Sequence, residues 1–212
     1  MPLIEITTMV GCRLRCTFCP QETLIKAYKL RLAETASPPD PANESRDAYY
    51  LSIENFKKTI DKLPEYVKLS FAGMSEPWLN FNCTDMLAYA LSKGFKISIY
   101  TTLVGMTAKN AETVCDLLRH YANQMINVSI HLPDAQNHMR GWKITNDYKQ
   151  ALESFIALQN EQKLPHLGMM SMDAQGNLHP ELNYLGWKLS DFRPSSRSGN
   201  VISDCALKFA YK

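Results

Sequence analysis

The sequence has no apolar run of about 18 residues, the minimum for a helix that crosses a membrane. Its 23 basic and 21 acidic side chains leave a net charge of only +2. No excess of one sign marks it as a binder of nucleic acid or of a membrane surface. The N-terminus carries Glu5 and lacks a basic segment ahead of a long apolar stretch, so no secretory signal is read there. A disulfide framework is also missing. Of six cysteines, Cys12, Cys16 and Cys19 are clustered, whereas Cys83, Cys115 and Cys205 stand alone. That distribution fits a reducing, cytoplasmic setting better than secretion. The isolated Cys83 and Cys115 fall in helix-like segments and read as small buried residues.

A hydrophobic fraction of 45% and a charged fraction of 21% over 212 residues fit one soluble domain, or one domain plus a fragment, with room for a sizeable core. Strand-like runs at Leu3–Thr8, Val67–Phe71, Lys96–Thr101, Ile126–His131 and Leu167–Met172 alternate with helical patterns. The helical patterns are Glu22–Leu32, Ile53–Leu63, Thr84–Lys93, Ala108–Ala122 and Asn146–Gln159. Ser52 is a natural N-cap for the second of these, and Gly94 a stop for the third. Strand and helix recurring in this order predict an α/β fold with parallel strands and crossover helices. The chain is short for a closed eight-fold barrel of about 250 residues. The expectation is a partial (β/α)6-type TIM barrel, its sixth and weakest strand near Asp191–Pro194. The proline-rich stretch Ala33–Asp47 reads as a surface loop, a solvated linker in preference to a functional loop.

The chemistry gathers in Gly11-Cys12-Arg13-Leu14-Arg15-Cys16-Thr17-Phe18-Cys19-Pro20, directly after the first strand. The spacing C-x3-C-x2-C puts the three cysteines on one face if the run is helical, where they could simply pack. Gly11 and Pro20 bracket the run and favour a loop instead. Zinc wants four ligands, usually as two pairs, and no second Cys or His pair is present. Three thiolates on a tight loop suit three corners of an iron–sulfur cube, which ordinarily takes four cysteines. The fourth iron is then free for a ligand that is not protein.

A second feature is Phe71-Ala72-Gly73-Met74-Ser75-Glu76-Pro77, directly after the second strand. Ligand sites in parallel α/β folds lie at the carboxyl ends of strands. Gly73 permits a positive φ, and Pro77 biases Glu76 toward an extended backbone. Backbone carbonyls and one carboxylate would then face the mouth of the barrel, suited to an ammonium group. His120, His138, His166 and His179 are scattered and read as surface or helix-end residues. Trp78, Trp142 and Trp187 read as core or rim.

Together, the cysteine run with Phe18 before its third cysteine and the Gly-Met-Ser-Glu-Pro turn resemble the radical S-adenosylmethionine superfamily. The resemblance implies that Cys12, Cys16 and Cys19 hold a [4Fe–4S] cluster. It implies that S-adenosylmethionine binds the fourth iron, with Phe18, Gly73, Ser75, Glu76, Thr101 and Ser129 as cofactor contacts. Ser75 replaces the commoner glycine of that turn. Thr101-Thr102 stands where the family often has Thr-Asn, and Ser129 and His131 end the strand that commonly contacts ribose. The usual glycine-rich adenine motif is not evident near Leu167–Met172. Implied partners are a small-molecule or peptide substrate and a reductant such as a flavodoxin or ferredoxin, with no nucleic acid and no membrane. Arg197-Ser198-Gly199-Asn200 and Cys205 are similar to the bridge into a cysteine-rich C-terminal extension of the SPASM/twitch type. Residues 1–200 are therefore expected to form the core domain and 201–212 the truncated start of that extension. The expected activity is reductive cleavage of S-adenosylmethionine, giving a radical that takes hydrogen from a substrate. The alternative is a non-catalytic remnant that binds or regulates.

Overall fold

The computed structural model describes residues 1–17, 19–35, 49–73, 75–171, 173 and 176–186. Five strands form one sheet in the order β1, β3, β4, β5, β7. They are β1 (Leu3–Ile6), β3 (Lys68–Phe71), β4 (Lys96–Thr101), β5 (Ile126–Leu132) and β7 (Leu167–Ser171). All four neighbour pairings are parallel, in the register Glu5, Ser70, Ser98, Asn127 across the first four strands. Among the described residues the sheet does not close, and β1 and β7 are its edges. This is the expected α/β architecture in the form of a partial barrel. The sixth strand candidate near Asp191–Pro194, residues 201–212, Trp187 and Cys205 lie outside the described residues.

The helices are α1 (Gln21–Thr35), α2 (Ile53–Ile60), α3 (Cys83–Ser92), α4 (Ala108–His120) and α5 (Asn146–Asn160). Alternate strand residues bury against them: Leu69 and Phe71, Ile97 and Ile99, Val128 and Ile130 share one core with Phe56, Leu87, Val114 and Phe155. Side chains alternate across a strand, so Ser70, Ser98, Asn127, Ser129 and Gly168 line the opposite, concave face. The hydroxyls of Ser52, Thr107 and Thr145 accept the N–H of Asn55, Asn110 and Tyr148, capping α2, α4 and α5. Each such cap is worth about 1 kcal/mol. Gly94 takes φ +80° and ends α3 as its position predicts.

Several boundaries differ from the sequence reading. Helix α2 stops at Ile60, not Leu63, because Pro64 disfavours helical backbone at Leu63. Strand β1 stops at Ile6, because β3 has ended and residues 8–10 pair with Tyr49–Leu51 instead. Helix α1 begins one residue early and extends to Thr35, into the stretch read as linker; positions 36–48 lie outside the described residues. Strand β7 ends at Ser171. Two short strands were not anticipated: β2 (Arg15–Cys16) pairs antiparallel with β6 (Met139–Arg140).

Candidate functional site

The cysteine run leaves the carboxyl end of β1 as a loop braced on three sides. Gln21, in the first turn of α1, reaches back so that its Nε2 donates to the Leu14 carbonyl. The β2–β6 ribbon pairs Cys16 with Met139, and the Thr17 N–H donates to the His138 carbonyl at 2.9 Å. Beneath the loop, buried Leu14 and Met139 pack against the half-buried Cys12, Cys16 and Cys19. The run is therefore not a helix face of packed thiols. Burial raises the Cys12 thiol, while hydrogen bonds from the Leu14 and Glu76 N–H groups oppose it.

The turn after β3 meets this loop. Gly73 has φ +98°, and a Cβ there would lie 2.4 Å from the Thr7 hydroxyl. Only glycine fits both demands. Ser75, by contrast, needs no left-handed backbone, so the serine is accommodated where glycine is commoner. Glu76 is extended (φ −78°, ψ 122°), as Pro77 predicts. Its carboxylate is 3% exposed and fully engaged. Oε1 accepts from the Thr101 hydroxyl at 2.5 Å and the Trp78 N–H at 3.5 Å. Oε2 accepts from the Thr102 N–H at 2.6 Å and the Thr102 hydroxyl at 2.7 Å. Burial raises its pKa, and these donors pull against that. The Thr101–Thr102 corner is itself bent: buried Leu103 follows at φ +62°, its N–H held by the Thr101 hydroxyl at 2.9 Å. A left-handed non-glycine residue costs about 1 kcal/mol, which the Glu76 bonds offset. Thr8 and Asn80 complete the lock. The Thr8 hydroxyl donates to the Pro77 carbonyl at 2.9 Å, and the Asn80 amide to the Thr8 and Leu51 carbonyls.

Cys12, Cys16 and Cys19 open with Ser75, Glu76 and Thr101 onto one cavity, whose remaining wall includes Gln21, Tyr100, Thr102 and His131. The cavity has a volume of about 50 Å³ and opens to solvent. Two buried polar atoms on this wall, Gln21 Oε1 and Ser75 Oγ, have no hydrogen-bond partner among the described residues. Such orphans are uncommon in folded proteins and fit a polar guest. Among the described residues, no three His, Cys, Asp or Glu side chains converge to hold a single metal ion, as structural zinc requires. A cuboidal cluster asks less, since each thiolate binds its own iron. The donor set, three thiols on one cavity beside unpartnered polar atoms, fits that group.

Ser129 is not brought to the cysteines. It sits lower on β5, its hydroxyl 3.4 Å from the Met170 sulfur, in a separate cavity of about 740 Å³ on the concave face. Tyr100 borders both cavities. Phe18 lies outside the described residues. Sequence reasoning missed Gln21, whose position just past the cysteine run at a helix start was the available signal. It also read His138 as a surface residue. His138 is buried, with its Nδ1 2.8 Å from fully buried Asp134. The four-residue spacing of the pair could not show that, because the contact needs a loop no periodicity describes. No described helix is long and apolar enough to cross a membrane.

Comparison with solved structures finds BtrN in complex with AdoMet and 2-DOIA, at 14% identity and a TM-score of 0.45 over 81% of this chain. It also finds anSMEcpe with bound AdoMet and Cp18Cys peptide, at 15% identity and a TM-score of 0.46 over 80% of this chain. The present chain spans 56% of the first and 42% of the second. No curated protein matches it. A family model does, over residues 6–170. That stretch runs from the last residue of β1 almost to the end of β7 and contains the cysteine loop, the Glu76 turn and the Thr101 corner, so the chain belongs to the radical SAM superfamily.

Proposed function

We propose that this protein is a radical S-adenosylmethionine enzyme that abstracts hydrogen from a small-molecule or peptide substrate. Cys12, Cys16 and Cys19 would hold a [4Fe–4S] cluster and leave one iron for the cofactor. The chemistry this group supplies when bound is one-electron cleavage of the sulfonium carbon–sulfur bond, giving a 5′-deoxyadenosyl radical. The hard step belongs to the cofactor, and the protein positions and shelters it.

The residues around the cavity fit that division of labour. The Glu76 carboxylate is saturated by Thr101, Thr102 and Trp78. It holds the turn rigid and leaves the Ser75 hydroxyl and nearby backbone to receive the cofactor's amino group. Gln21 fixes the cysteine loop with one amide atom and presents the other to the cavity. Tyr100 and His131, with rings 6.3 Å apart and edge-on, close the side next to the concave face. Ser129 and Asn127 on that face can contact the far end of the cofactor or the substrate. The observation that carries the reading is that the thiols of one loop and the Ser75–Glu76 turn of another share a single cavity.

The test is anaerobic reconstitution with iron and sulfide, followed by reduction in the presence of S-adenosylmethionine. The expected product is 5′-deoxyadenosine, absent in Cys16→Ala. An intact cluster that neither binds nor cleaves the cofactor would instead establish a non-catalytic iron–sulfur module.

A further inference from the structure

The ribbon that braces the cysteine loop is composed against its own stability. Its register sets Arg15 opposite Arg140, and like charges placed opposite each other across strands repel. Both are exposed, as are Arg13 and Lys143. None of the ion pairs among the described residues involves any of the four. Arg13, Arg15 and Arg140 are brought together because Gly141, at φ +83°, lets the end of β6 close on the cysteine loop, and Lys143 follows two residues on. A Cβ at that position would lie 3.1 Å from the Arg13 carbonyl oxygen. The whole chain carries only +2, so this concentration of positive charge is local. Beside Arg140 opens a polar hollow of about 360 Å³, walled by Thr17, Gln136, Asn137 and His138. Arg15 and Thr17 are the chain neighbours of Cys16.

We propose that Arg13, Arg15, Arg140 and Lys143 form the docking surface for an acidic one-electron carrier protein. The proposal rests on the iron–sulfur reading above. It names the partner that reading requires and the face on which it lands. A partner that lands there touches the backbone that bears Cys16, one of the three thiols on the cavity. Charge complementarity steers such encounters and raises their rate without a large interface, and redox complexes are at the small end of interface sizes. An acidic peptide substrate fits less well. It must reach the cavity walled by Glu76, Ser75 and Tyr100 or the concave face beyond, and neither is lined by any of these four basic residues.

The experiment measures binding of a fluorescently labelled, oxidised acidic flavodoxin to reconstituted protein, so that docking is read apart from catalysis. At low salt, Arg140→Glu should weaken binding at least about tenfold, since it replaces a positive charge by a negative one that also engages Arg15. Arg140→Lys should bind as the parent does. Lys62→Glu, in the turn leading to the amino end of β3 and so at the opposite end of the sheet, should have no effect. The difference should shrink at about 0.5 M salt, where exposed charges are screened. Equal binding by Arg140→Glu and the parent overturns the proposal. So does an acidic peptide that binds in an Arg140-dependent manner while flavodoxin does not. Failure to assemble iron and sulfide overturns the iron–sulfur reading itself. A protein that assembles the cluster and cleaves the cofactor with a chemical reductant, yet binds flavodoxin without regard to Arg140, overturns the docking surface alone.

Discussion

Glu76 illustrates how one side chain can serve a site without being free to react in it. A buried carboxylate is costly unless its lone pairs are met, and here four donors meet them. The residue fastens the turn after β3 to the end of β4 and holds Leu103 in its left-handed conformation. Glu76→Ala removes the acceptor of the half-buried Thr102 N–H and of the buried Thr101 hydroxyl. Unfolding in urea should show a loss of about 2–4 kcal/mol, with a parallel loss of cofactor affinity in the reconstituted protein. A variant as stable as the parent would show that the four hydrogen bonds do not hold the corner. The serine at position 75 makes the complementary point. Its hydroxyl is buried and unpartnered among the described residues, so it is available where the carboxylate is not.

At the scale of elements, the cysteine loop depends on a neighbour with no cysteine in it. Asp134 is fully buried just past the end of β5 and accepts from the Gln136 N–H, the His138 N–H and the His138 ring. Those bonds shape residues 134–138, which lead into β6 and offer the His138 carbonyl to the Thr17 N–H. Asp134→Ala should therefore loosen the cysteine loop from a distance. Hydrogen exchange at the Thr17 amide should accelerate at least about tenfold, a change of roughly 1.4 kcal/mol in local opening. Protection unchanged from the parent would mean that the loop stands without this support. None of this was legible in the sequence. Two-residue strands such as Arg15–Cys16 carry no alternation to detect, and a buried Asp–His contact has no periodic signature. The long elements were legible because each displays a repeat. Alternating or continuous apolar residues mark the five parallel strands, and helical spacing marks α2 to α5. Their ends moved by a few residues wherever proline or a competing backbone partner decided the matter.

Among the described residues the molecule is an open parallel sheet with helices packed on one face and a polar concave face on the other. Everything that points to chemistry sits at the carboxyl ends of its strands: cysteines after β1, the Glu76 turn after β3, Thr101 and Thr102 at the end of β4, His131 near the end of β5. Cysteine spacing and the turn were readable because each is local in the chain. The pairing of Glu76 with Thr101 and Thr102 was not, because it joins residues 25 and 26 positions apart through sheet register. Ser129, expected as a cofactor contact, lines the neighbouring cavity that Tyr100 also borders. Its depth below the strand end is set by register, which no single segment encodes.

The central claim is that three thiolates hold a cluster whose last iron has no protein ligand. Electron paramagnetic resonance of the reduced, reconstituted protein, recorded with and without S-adenosylmethionine, addresses it most directly. The account predicts a [4Fe–4S] signal that shifts when the cofactor is added. A signal indifferent to the cofactor, or a protein that takes up neither iron nor sulfide, would contradict it.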